Sequence, residues 1–61
     1  MKKSIFEVVA KTNGTRYNIV RGEIYKVYDI KKTTHGNALF LIYTGKDWEY
    51  VSASTYFEPV N

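Results

Sequence analysis

The chain has 61 residues, no cysteine, a single histidine and a net charge of +3 at pH 7. That length holds one domain, spanning residues 1–61, with a small core and marginal stability. Disulfides, thiolate zinc sites, iron–sulfur clusters and thiol catalysis are excluded, and His35 alone cannot form a multi-histidine metal site. No apolar run approaches the roughly 20 residues of a bilayer helix. The Met1-Lys2-Lys3 start is basic, but Glu7 interrupts the apolar stretch that a signal peptide would need. The chain therefore reads as a complete cytoplasmic protein with no membrane segment.

The pattern is strand, turn, strand almost throughout. Residues 5–11 (IFEVVAK) form the first expected strand, with Phe6, Val8 and Ala10 on one face. Asn13-Gly14 is a strong type I′ hairpin signal, because both residues tolerate positive φ. It predicts a return strand over 15–20, with Arg16 and Tyr17 near the tip. Arg21-Gly22 marks the next turn. Residues 23–32 (EIYKVYDIKK) predict the longest strand, in which Tyr25 and Val27 alternate with Ile24, Lys26 and Tyr28.

A polar loop at 33–37 leads to residues 38–44 (ALFLIYT), apolar on both faces as in a central strand of a closed sheet. Gly45-Lys46-Asp47 makes a tight turn into Trp48–Ser52. A register slip of one residue would exchange the faces of this hairpin. Placing Phe40, Ile42 and Val51 inside lets Glu49 reach solvent at the strand end. Tyr43, Trp48 and Tyr50 then form an outward aromatic strip. The hydroxyl-rich segment 52–56 predicts one turn of 3₁₀ helix. Residues 57–60 close the sheet, with Pro59 on an edge because it has no N–H to donate.

Five strands, a hairpin-like first loop and a helical turn before the last strand make a small all-β barrel. Here the chain resembles the Src-homology-3 (SH3) fold. Residues 21–27 (RGEIYKV) look like that family's diverging turn. Tyr50-Val51, followed by residues 54–59 (STYFEP), looks like its helical turn and closing strand. The resemblance implies a five-stranded SH3-like barrel with one 3₁₀ turn before the last strand. The family's usual ligand, a proline-rich peptide, is not implied. The Ala-Leu-Tyr-Asp-Tyr segment is missing, Ala38-Leu39 stands where its tryptophan opens a strand, and only Tyr56 matches a groove position. Where that family's loops are acidic, this chain carries Lys11, Arg16, Arg21, Lys31 and Lys32. In size and style it also resembles the small accessory proteins that bacteriophages and prophages encode.

No convergent acid, base or nucleophile is legible, so no catalytic residue, cofactor or metal ligand is assigned and the chain is not expected to be an enzyme. His35 sits in a Gly-containing loop with no acidic residue nearer in sequence than Asp29. Asp47 and Glu49 flank Trp48 at a turn, and the glycines are scattered singles. A barrel this small should hold no internal cavity for a substrate.

Binding remains, and charge distribution is informative. Residues 1–32 carry eight basic against three acidic groups, net +5, while residues 33–61 carry one against three, net −2. Such a dipole steers an acidic partner to one side. The hairpin tip around Arg16 is expected to approach Lys31 and Lys32, with Tyr17 and Tyr56 between them. Together with Tyr43, Trp48 and Tyr50 these are the candidate partner-binding residues. A protein with an acidic surface is the first expected partner. Nucleic acid is the alternative, with Arg16, Lys26, Lys31 and Lys32 on phosphates and Tyr28 or Trp48 stacking on bases. A second copy of the chain, paired through an edge strand, is a third.

Overall fold

The computed structural model describes residues 3–60. The fold is all-β, with six strands: β1 (Phe6–Ala10), β2 (Ile24–Val27), β3 (Asp29–Lys32), β4 (Ala38–Tyr43), β5 (Trp48–Ser52) and β6 (Phe57–Pro59). They make two antiparallel three-stranded sheets, ordered β2-β1-β6 and β3-β4-β5. Among the described residues no strand pairing joins the two sheets, so the expected five-stranded barrel is replaced by two facing sheets that are not closed.

The count differs because the long strand expected over 23–32 breaks at Tyr28. Val27 is fully buried opposite Phe6, whereas Asp29 pairs with Leu41 in the other sheet. Unbroken alternation from Val27 would turn Asp29 and Lys31 toward the core, which a carboxylate and an ammonium resist. The break resets the parity. Ile30 now lies opposite Phe40, which lies opposite Val51, and Asp29 shares the outer face with Leu41 and Tyr50. The Tyr28 amide donates to the Leu41 carbonyl at 2.9 Å and carries the chain across the junction.

The β4–β5 register is the expected one. Phe40 faces Val51, Ile42 and Val51 are buried, and Phe40 packs partly buried against them. Glu49, opposite Ile42 near the strand end, is half-buried. In β1 the alternation also places Val8 and Ala10 inside, with Phe6 at the margin against Phe40. The core comprises Val8, Ala10, Ile19, Val27, Ile42, Val51 and Phe57, with Tyr17, Tyr25, Phe40 and Tyr56 around it.

Between β1 and β2 the expected hairpin does not form. Gly14 has φ −122°, which a type I′ turn excludes, and residues Thr15–Tyr17 make a 3₁₀ turn instead of a strand. Asn18 takes the left-handed conformation at φ 59°. A lone bridge from Gly14 to Ile19 lets Ile19 plug the core at 2% exposure. A Cβ on Gly14 would sit 2.8 Å from the Tyr56 ring, so glycine is needed there for close approach rather than for turn conformation. The Tyr25 hydroxyl ties the loop down by accepting from the Val20 amide at 2.8 Å and donating to the Asn18 carbonyl at 3.4 Å. The Asn13 side-chain carbonyl accepts from the Arg21 amide at 2.8 Å.

The turn expected as 3₁₀ before the last strand is a single α-helical turn, α1 (Ala53–Tyr56), closed by the Phe57 amide donating to the Ala53 carbonyl. Strand β6 forms a sheet edge, and Pro59 lies opposite Val8, where its missing N–H is tolerated.

Candidate functional site

The outer face of the β3-β4-β5 sheet is built by cross-strand pairing. Tyr43 lies opposite Trp48, and Leu41 lies between Asp29 and Tyr50. Thr44 fixes the turn that joins the strands. Its amide donates to the Asp47 carbonyl at 2.9 Å, and its hydroxyl oxygen accepts from the Asp47 amide at 3.1 Å. This short connection brings Tyr43 and Trp48 together, with ring centres 5.2 Å apart. Tyr28, at the break between the sheets, meets Trp48 edge-on at 5.0 Å. Tyr43 is 47% and Trp48 53% exposed. Ile24, Lys26, Tyr28 and Tyr43 border one shallow depression, which carries the patch onto the neighbouring sheet.

Beside this patch lies a polar triad. The Tyr50 hydroxyl donates to Asp29 Oδ2 at 2.7 Å, and the Lys31 ammonium stands 4.3 Å from the Tyr50 ring centre. The hydrogen bond to Asp29, then desolvation, then the Asp29 charge raise the Tyr50 hydroxyl above its ordinary pKa of 10.0. These contacts engage both the hydroxyl and the ring of Tyr50, and the lysine sets a positive charge beside the aromatic surface.

Of the eight residues singled out from the sequence, seven fall into two groups among the described residues. Tyr43, Trp48, Tyr50 and Lys31 gather on the outer face. Arg16, Tyr17 and Tyr56 form a second group: Tyr17 and Tyr56 meet edge-on at 5.9 Å, and the Arg16 guanidinium lies 5.7 Å from the Tyr17 ring. Lys31 thus engages Tyr50, and Lys32 belongs to neither group, lying exposed opposite Ala38.

Two features escape sequence reasoning. Tyr28 joins the outward strip because the strand breaks there; the legible signal is the odd spacing of the apolar pair Val27 and Ile30. The second is a groove of about 810 Å³ between the two sheets, floored by Phe6, Val8, Phe40 and Phe57. No internal cavity was expected, and this space is an open cleft that exists because the sheets do not close.

No helix among the described residues is long and apolar enough to cross a membrane. No protein-family model, curated protein or solved structure matches this chain.

Proposed function

We propose that the chain is a non-catalytic binding module, a small SH3-like protein of the phage accessory type. In this reading it docks on a host or partner protein in the cytoplasm and modulates it. The SH3-like part is supported by the order of the elements. Two consecutive strands, β2 and β3, lie in different sheets, a tight hairpin follows them, and a helical turn precedes the closing strand.

The binding part rests on one observation. Tyr43 and Trp48 leave about half of their surface in water while in ring contact with each other, and Trp48 also meets Tyr28. Aromatic side chains held in this way bring large area to an interface at little further entropic cost. Lys26 and Lys31 border the patch, which suits a partner with acidic groups around an apolar centre.

A second reading follows from the same rings. Exposed aromatics beside lysines are also the parts of a platform for single-stranded nucleic acid. Asp47, beside Trp48 in the turn, weakens this reading, because its carboxylate would repel phosphates at that ring. Affinity capture of the tagged chain from its native host, washed with and without nuclease, separates the two. The proposal expects one protein to persist through nuclease. Loss of the catch, with steeply salt-dependent binding of labelled DNA or RNA, would transfer the face to nucleic acid.

A further inference from the structure

The cleft between the sheets is separate from the aromatic face. None of its lining residues borders the depression around Tyr28 and Tyr43. Its floor is apolar, with Phe6 and Phe57 both in ring contact with Phe40. Along one side runs β6, the edge strand of its sheet, followed by Val60, which is 45% exposed. About 810 Å³ is room for a few side chains, within the usual range of ligand clefts.

The charge at this cleft identifies its occupant. The charged residues that line it are Glu7 and Glu58, both exposed, on a protein whose net charge is +3. Strand pairing places Lys26 opposite Glu7 and Lys32 opposite Ala38, and neither lysine is part of the lining. An acidic rim over an aromatic floor, beside an edge strand, matches an extended chain that alternates apolar and basic side chains. Successive side chains of such a strand point to opposite sides, so one set can fill the floor while the other reaches the carboxylates.

We infer that the groove between β6, α1 and the start of β4 binds an extended basic–apolar peptide segment of a partner protein. The chain then carries two recognition surfaces of opposite electrostatic preference. A second copy of the chain and an unrelated apolar small molecule are the competing occupants.

The test uses the full ¹⁵N-labelled chain and two synthetic probes. One is an acetylated heptapeptide alternating lysine with leucine and phenylalanine; the other has glutamate at every lysine position. Amide shifts locate the contact, and calorimetry at low salt measures affinity. The lysine probe should bind at least tenfold more tightly than the glutamate probe and should shift Phe6, Ala38 and Phe57. Charge reversal at both rim positions, Glu7→Lys with Glu58→Lys, should cost the lysine probe at least tenfold, and Glu58→Gln alone should cost less. Both positions are exposed, and a dispersed spectrum verifies that each variant is folded. The inference is overturned by equal affinity for the two probes, by no binding at millimolar peptide, or by shifts centred on Tyr43 and Trp48. Sedimentation showing self-association that moves the groove amides would assign the cleft to a second copy instead.

Discussion

Ile42 and Tyr43 are adjacent on β4 yet belong to opposite faces, so the pair offers a direct test of how the hairpin is registered. Ile42 is wholly buried, opposite Glu49 and one step from the Phe40–Val51 pair. Ile42→Ala removes about three CH₂ equivalents, or about 2.4 kcal/mol of transfer free energy at ~0.8 kcal/mol each. A residual cavity on the order of 50 Å³, at ~24 cal/mol per Å³, adds about 1.2 kcal/mol. A chain of 61 residues has roughly 3–9 kcal/mol of total stability, so this single change removes a large share of it. Tyr43 is half exposed, and Tyr43→Thr keeps a residue that suits a strand. Its loss is chiefly the ring contact with Trp48, about 0.5–1.5 kcal/mol. In urea, where a domain this small has a slope of about 1 kcal/mol per M, Ile42→Ala should lower the midpoint by roughly 3.6 M or unfold the chain in buffer. Tyr43→Thr should lower it by roughly 1 M. If Tyr43→Thr proved the more damaging change, the two faces would be exchanged and the assignment of an outward aromatic strip would fail.

Two further expectations concern single hydroxyl groups. The folded chain holds the Tyr50 proton more tightly than the unfolded chain, because its pKa is raised above 10.0 by Asp29. The contribution of that contact is therefore complete below pH 10 and is lost as pH rises through the folded-state value. Tyr50→Phe should flatten the fall in urea midpoint above pH 10, and an unchanged slope would remove Asp29 as the cause. Tyr25→Phe deletes the group that bridges the Val20 amide and the Asn18 carbonyl. It should cost about 1 kcal/mol and speed hydrogen exchange at Val20, and unaltered exchange there would show that the loop is held by other contacts.

The parts of the fold that were legible in the sequence are those whose cause is local. In β4 and β5, where a slip of one residue would exchange the faces, the register that buries Ile42 and Val51 and leaves Glu49 near the strand end is the one that forms. The same logic failed at Tyr28. Alternation continues smoothly through residues 23–28, and the odd spacing of Val27 and Ile30 marks a break without saying that the second half belongs to another sheet. The loop between β1 and β2 departs from its local signal for a related reason. Asn13-Gly14 is a strong local turn signal, but burial of Ile19 and the approach of Gly14 to Tyr56 outweigh it, and both are tertiary. At the candidate site, Tyr43 and Trp48 were found from the turn that joins their strands. Tyr28 was not grouped with them, because its place beside Trp48 depends on the break. The expected meeting of Arg16 with Lys31 and Lys32 presumed a hairpin tip that does not form. The groove arises from two sheets standing apart, a property that no single segment encodes.

The central claim is that the outer aromatic face, and not merely an exposed apolar residue, engages a partner protein. Trp48→Ala combined with Tyr43→Thr removes the rings of the face. Val20→Ala serves as the control, since Val20 is 52% exposed on a different loop. The decisive measurement is the affinity of each variant for the protein that persists through nuclease in capture from the native host. The double variant should lose at least thirtyfold, as expected when a hot spot worth about 2 kcal/mol or more is removed, while Val20→Ala stays within twofold. Equal retention by the folded double variant and the control would contradict the account.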